Sequence, residues 1–395
     1  MIKMNANNIE TNQYPHLSEI TLLALLNLPK LNASQIEQCN QLIQHVDDFD
    51  NLLAKINYHR TWPCTYLNIK QYFTHLFPSS FLERLAEINR KINYKILDQT
   101  HINSQILSAL EKNKISAVTL KGYPLAKKLF GNITKRYAKD LDLLIDEKDI
   151  LKAYKTVKAL GFRALPYDDF DKYQREKYLK FIKDIVLYKG NQVVELHVRL
   201  NNDSSLLSQQ LTPKLLNQTN DEYDELIYIC AHASHSIFHR IKWLTDIVLL
   251  IQLNTKSQSF CLQKLISKAT AYGELNALIC SWVLVSIIYR IALPIEISSI
   301  FNHNKKLQLV INQYFSYFNN LTKETDLNSI LNQLKMKLIL TSNLTEKIKY
   351  LSFYLKPTTA DFISFRLRSN KLFFLYYLFR PFRLINRHLL NNKKL

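Results

Sequence analysis

Glycine is scarce in this chain: 395 residues contain only five. Four of them, Gly122, Gly131, Gly161 and Gly190, lie between Ser116 and Leu200, so the backbone conformations that glycine adopts freely are concentrated in one stretch. Cysteine is equally sparse. Cys39, Cys64, Cys230, Cys261 and Cys280 are scattered without paired spacing, which argues against a disulfide framework or a zinc knuckle and leaves a reducing cytoplasm as the expected setting. No apolar run is long enough to span a bilayer. The longest nearly uninterrupted one, Ala277 to Tyr289, ends at Arg290 and reads as a buried helix. The first residues, Met1-Ile-Lys-Met-Asn-Ala-Asn-Asn8, are polar and contain no signal-peptide apolar region. Internal repeats are missing too. Acidic residues are in deficit, 33 against 52 Lys and Arg, for a formal net charge of +19. Such a surface attracts acidic partners such as NTP, RNA, a nucleotide sugar or anionic lipid without choosing between them.

What is present centres on Asp140-Leu141-Asp142. Across Ala138 to Ile145, alternation predicts a short strand with Asp140 and Asp142 on one face and Leu141 and Leu143 on the other. Two carboxylates this close repel unless a cation lies between them. Oxygen donors without a nearby thiol favour Mg²⁺ or Mn²⁺ over zinc. Asp-x-Asp is also common on solvated strand edges, so the upstream residues supply the discrimination. Ser116 to Leu120 predicts a short β-branched strand, Lys121-Gly122 breaks it, and Tyr123 to Phe130 has helical spacing with Pro124 tolerated in a first turn. The free N–H groups at the start of such a helix suit an anion, and Gly122 presents no Cβ to obstruct it. Lys121 and Arg136 add positive charge for phosphate oxygens.

Asp184 to Lys189 and Gln192 to Val198 flank Gly190-Asn191, a pairing that predicts a hairpin. In its second strand Val194, Leu196 and Val198 share one face, and Glu195 and His197 share the other. A carboxylate on a strand beside the Asp-x-Asp strand would complete a two-metal site. Glu195 is the candidate, with Asp184 on the partner strand as the alternative. His232, His235 and His239 fall on one helical face by spacing, with no fixed carboxylate or cysteine partner. Packing or hydrogen bonding is expected of them ahead of a metal site, and the functional reading places His235, His239 or Lys242 on the wall facing the nucleotide. Asp246 reads as a helix-surface partner for Lys242, four residues earlier.

These residues resemble a known family. Leu120-Lys121-Gly122, Leu129-Phe130-Gly131, Arg136, Asp140 to Ile145, Ala159 to Phe162 and Val194 to His197 are similar to the motifs of the bacterial "uncharacterised nucleotidyltransferase" family, within the DNA polymerase β-like superfamily. His232 to His235 with Arg240 to Asp246, and Phe374 to Leu384, are similar to that family's helical region and C-terminal end. The likeness covers most of the chain, with the core block its specific part. One departure matters. Many superfamily members carry Gly-Gly or Gly-Ser at the turn, whereas Tyr123 follows Gly122 here; a serine hydroxyl on the phosphates is lacking, and Lys121 is the expected replacement. The stretch from Gly122 to Asp140 is long for the superfamily and resembles the spacing in abortive-infection toxin nucleotidyltransferases.

The expected fold class is α/β (α+β), a small mixed-sheet nucleotidyltransferase core over 114–205 between helical regions at 1–113 and 206–395. Helical spacing from Ser18 to about Asn113 is broken at Pro29, Pro63 and Pro78, and the helical pattern beyond Thr212 at Pro294 and Pro357. The resemblance implies transfer of NMP from an NTP to an acceptor hydroxyl with Mg²⁺ or Mn²⁺. Asp140 and Asp142 would ligate both metals, and Glu195 would ligate the metal at the nucleophile and help deprotonate the acceptor. Lys121, Gly122, Arg136 and His197 would hold the nucleotide. The acceptor stays open among RNA, protein, a sugar phosphate and a small molecule. The competing expectation is a non-catalytic basic module of the same fold that binds RNA, anionic lipid or a partner protein, and the intact carboxylates argue against it. Between Arg366 and Lys394, Arg368, Arg380, Arg383 and Arg387 interleave with Phe and Tyr. An amphipathic helix closing the helical region is expected there, with peripheral membrane or RNA contact as the other reading.

Overall fold

Alternating apolar residues build one sheet. The computed structural model describes residues 14, 16–201, 205–318, 327–364 and 372–385. In it β1 (Ala117–Thr119), β2 (Leu141–Ile145), β3 (Asp184–Lys189) and β4 (Gln192–His197) form a four-stranded mixed sheet in the order β1-β2-β4-β3. β2 runs antiparallel to β1 and parallel to β4, and β3 and β4 form the antiparallel hairpin. Gly190 turns that hairpin at φ +55°, a left-handed conformation that costs glycine little. Leu141, Leu143, Ile185, Leu187, Val194 and Leu196 are buried on one side. They pack with Ala153 and Val157 of the helix Ile150–Ala159 and with Ile106 and Leu110 of the helix Ser79–Lys112. One face is thereby covered, and the carboxylate face remains for chemistry.

Three of the prolines act at helix starts. Pro63 lies in the first turn of the helix Trp62–Asn68, and Pro78 and Pro294 are the N-caps of Ser79–Lys112 and Ile295–Asn302; a missing N–H leaves nothing unsatisfied there. Helical order after the sheet begins earlier than Thr212, with Leu206–Leu216, and Pro213 inside its final turn does not prevent it. Ala277 to Tyr289 is buried all round in the helix Leu275–Tyr289. That helix packs against Leu17–Leu26, Glu222–His235 and Ile241–Thr255. Among the described residues no helix is long and apolar enough to cross a membrane.

Two hydrophobic cores result. The larger joins Ile20, Leu23 and Leu26 near the start of the chain with Leu244, Trp282 and Phe315, so the helices before and after the sheet share one interior. The smaller lies under the sheet and takes in Phe362 and Tyr376 from the C-terminal region. The 34-residue helix Ser79–Lys112, roughly 50 Å long, spans both: Phe81 and Leu85 enter the first core, Ile106 and Leu110 the second.

The C-terminal amphipathic helix, Leu375–Ile385, is present with its cations turned inward. Arg380 Nη1 donates to Asp361 Oδ2 at 2.8 Å and Arg383 Nε donates to Asp361 Oδ1 at 2.5 Å, and both guanidinium groups also donate to Thr358 Oγ1. Arg366, Arg368, Arg387 and Lys394 lie outside the described residues.

Candidate active site

Sheet register assembles the acidic group. In the parallel pair of β2 and β4, Asp142 stands opposite Glu195 and Leu143 opposite Leu196. Because neighbours alternate across the sheet, burying the leucines directs both carboxylates to the other face. His197, two residues along β4, brings its Nε2 to 3.3 Å from Asp142 Oδ1 and 3.2 Å from Glu195 Oε2. On its other side Lys183 Nζ lies 3.0 Å from Nδ1. An ammonium can only donate, so Nδ1 accepts and Nε2–H faces the carboxylates. Both ring nitrogens are therefore engaged within the chain, and His197 lines the same cavity.

Among the described residues, one group places three metal-ligating atoms within 4.8 Å of one another: Asp142, Glu195 and His197. The carboxylates of this group could hold a metal ion, with His197 donating its Nε2–H to them. Two carboxylates suit a hard divalent cation, and the ammonium groups of Lys121, 3.1 Å from Asp142 Oδ2, and Lys183, 3.7 Å from Glu195 Oε2, lie against the same acids. Asp140 lines the same cavity but stands outside that 4.8 Å group. It precedes β2, so strand alternation does not govern where its side chain points. Asp184 accepts from Lys183 Nζ at 2.5 Å and pairs in register with His197 on the outer strand, one strand further from Asp142 than Glu195.

The acids differ in character. Burial raises both, but Lys121 and the hydrogen bond from His197 hold Asp142 well below the usual carboxylate range. Asp140 is raised by burial and by repulsion from Asp142 and Glu195. Burial and Lys183 work against a charged His197, yet the bonds to Asp142 and Glu195 leave it above the ordinary histidine value.

The glycine turn forms as the spacing predicts. Lys121 caps the helix Gly122–Phe130, and Gly122 adopts φ +68°. A Cβ built there would meet only Thr119 Cγ2, at 4.0 Å, so backbone conformation, more than packing within the chain, demands glycine. Lys121 reaches back from the turn to Asp142. Its Nζ is also 3.3 Å from His232 Nδ1 and 5.8 Å from the Tyr228 ring centre. Burial weakens its charge, and Tyr228 and Asp142 restore it above the ordinary lysine value.

Arg136 lines the cavity but is bound from behind. Its Nε and Nη2 each donate to Asp246 at 2.7 Å. Asp246 is thus no surface partner of Lys242: it is 1 % exposed, because the helix Ile241–Thr255 turns it inward against Arg136. Lys242 donates to the Tyr137 carbonyl at 3.2 Å, and burial, with Arg136 and Arg60 nearby, places it well below the ordinary lysine value. The three histidines do not share a helical face. The helix Glu222–His235 ends before His239, and Ile237 and Phe238, both at φ +51°, swing the chain round. His232 and His239 both pack edge-on against Trp243, and of the three His232 and His235 line the cavity.

The cavity measures about 470 Å³, within the range of roughly 300–1,000 Å³ common for small-molecule sites. Arg60 from the N-terminal helices and Lys337, Tyr350 and Arg380 from the C-terminal ones complete its wall. The spacing pattern did not single out Arg60, Lys337, Tyr350 or Lys183, and it marked Arg380 only as part of the C-terminal basic-aromatic stretch. Lys183 stands directly before β3, but its partners Glu195 and His197 come from the next strand, and no local signal marks that meeting.

A family model described as "Uncharacterised nucleotidyltransferase" matches residues 45–290, well over half of the chain. The match encloses the glycine turn, β1 to β4 and the helices that carry His232 and Asp246. No curated protein and no solved structure matches the chain.

Proposed function

The chain belongs to the uncharacterised nucleotidyltransferase family, and from that premise we propose that it transfers NMP from an NTP to an acceptor hydroxyl in the cavity over β2 and β4, breaking the α–β phosphoanhydride bond and releasing pyrophosphate. The observation that carries the reading is the cross-strand pair of Asp142 and Glu195 beside a helix start opened by Gly122. Asp142 and Glu195, with Asp140 on the same cavity wall, would hold Mg²⁺ or Mn²⁺. When bound, such an ion supplies neutralisation of triphosphate charge and a lower pKa for the acceptor hydroxyl. Glu195, the more exposed of the paired acids, is the group to accept the acceptor's proton, directly or through water.

The remaining residues position and neutralise. His197 orients Asp142 and Glu195 through Nε2–H while Lys183 fixes its tautomer. The turn at Gly122 gives phosphate oxygens a close approach to the backbone N–H groups that begin the helix. Lys121 is the nearest ammonium to that turn and would offer its charge, now on Asp142, to a phosphate oxygen. Arg136 keeps its guanidinium plane fixed against Asp246 and adds charge to the same wall. Lys242, buried and donating to the Tyr137 carbonyl, gains a favourable partner when a polyanion enters.

The test incubates the protein with each α-labelled NTP, Mg²⁺ or Mn²⁺, and a cell lysate fractionated into RNA, protein and metabolites. Label should appear in one fraction, require the divalent ion, and vanish with Asp142→Asn. Label transfer that Asp142→Asn leaves intact, or none with any NTP in any fraction, overturns the reading.

A further inference from the structure

The helix Leu375–Ile385 is built inside out for a solvated surface. Tyr376, Arg380 and Arg383, spaced four and three apart, face inward; Tyr376 is buried in the sheet core and both arginines bond Asp361. Phe374, Leu378 and Phe382, each four residues from the last, face out with exposures of 55, 55 and 71 %. An amphipathic helix closing a fold ordinarily does the reverse. The helix Leu344–Leu355, which packs against it, repeats the pattern with Leu344, Ile348 and Leu351 exposed at 72, 60 and 44 %. Among the described residues, eleven of the twenty exposed large hydrophobic ones fall between Leu331 and Phe382, so apolar exposure is concentrated in this region and not scattered as on an ordinary surface.

Charge identifies the partner. From Leu327 to the end of the sequence there are thirteen Lys and Arg and two acidic residues, and seven of those cations and both acids lie within the described residues. Both acids are used internally: Glu346 accepts from the Leu206 N–H and pairs with Lys349, and Asp361 holds the two arginines. A surface with outward Phe and Leu in a strongly basic segment matches the interface of an anionic bilayer, where rings and aliphatic chains enter the acyl boundary and lysines remain among the headgroups. We propose that the paired helices Leu344–Leu355 and Leu375–Ile385 form a docking face for an anionic membrane surface. Tyr350 and Arg380, which line the nucleotide cavity, stand on these same two helices, so a docked protein holds its catalytic cavity close to the bilayer.

Sedimentation with vesicles tests the proposal on the full chain. The protein should pellet with phosphatidylcholine vesicles containing about 30 mol % phosphatidylserine, much less with pure phosphatidylcholine, and less again as NaCl rises from about 50 to about 500 mM. The double variant Leu378→Ser/Phe382→Ser should lower partitioning by about tenfold or more, with an unchanged melting temperature and unchanged nucleotide binding. Should that variant melt early, Leu344→Ser/Ile348→Ser on the neighbouring helix replaces it, with the same expectation. Three results overturn the proposal: a parent protein that stays in the supernatant, a folded variant that pellets like the parent, or a parent dimer in solution that the double variant dissolves, since a second copy would then cover the face.

Discussion

Asp142 is the residue on which most of the site's electrostatics converge. It accepts from His197, pairs with Lys121 and stands opposite Glu195, and its depressed pKa makes it the fixed anion of the cavity at neutral pH. Asp142→Asn should leave the protein folded and reduce nucleotidyl transfer by a factor on the order of 10²–10³, the scale seen when one preorganised charge-stabilising group is removed; near-parental turnover in the purified, folded variant counts against the assignment. Glu195 and Asp184 can be separated in the same assay. Glu195→Gln should lower kcat far more than it raises KM, because its carboxylate serves the nucleophile. Asp184→Asn should act chiefly on stability, since Asp184 spends its charge on Lys183. If Asp184→Asn is inactive and Glu195→Gln silent, the outer strand supplies the third acid.

At the scale of elements, the glycine turn depends on one backbone conformation and the C-terminal clamp on one carboxylate. Gly122 holds φ +68° with ordinary space around a would-be Cβ. Gly122→Val should therefore destabilise the turn by more than the roughly 1–2 kcal/mol of a left-handed non-glycine residue, while Gly122→Asn, whose side chain tolerates that conformation, should be milder in a melt. Both should raise KM for NTP if phosphate approaches the backbone there; a Gly122→Asn protein with parental KM would move the phosphates elsewhere. At the clamp, burial raises Asp361, but Arg383, Thr358 and Arg380 outweigh it and leave the acid below its ordinary value. A depressed folded pKa stabilises the protein at pH above the unfolded value of about 3.9 and loses that contribution as pH falls through the folded one. Asp361→Asn should accordingly cost about 3–5 kcal/mol near neutral pH, where it strands buried guanidinium charge. The gap between variant and parent should close as pH drops below about 4, measured by urea unfolding across pH.

On the scale of the whole molecule, the cavity exists because three stretches of chain converge on one sheet. Phe362 and Tyr376 fill the core beneath that sheet, and Gln174 donates to the Phe362 carbonyl and the Tyr376 hydroxyl. Phe362→Ala should cost about 3–5 kcal/mol, as for other buried aromatics, and nucleotidyl transfer should be lost at a correspondingly lower temperature although no site residue is altered. Much of this was legible in the sequence. Alternation alone placed Asp142 and Glu195 on one face of their strands, Gly190-Asn191 marked the hairpin, and Lys121-Gly122 marked the turn, because each property depends on residues within a few positions of one another. The pairing of Arg136 with Asp246, the reach of Lys121 to His232 and the entry of Phe362 into the sheet core join residues more than a hundred positions apart. His239 was misplaced for a related reason, since helical spacing continues on paper through a turn that Ile237 and Phe238 close in space. The sequence by itself determined which residues alternate, turn and cap. Only the tertiary structure decided which distant side chain each charged group would meet, because that choice follows from how buried helices pack around the sheet, and packing leaves no period in the chain.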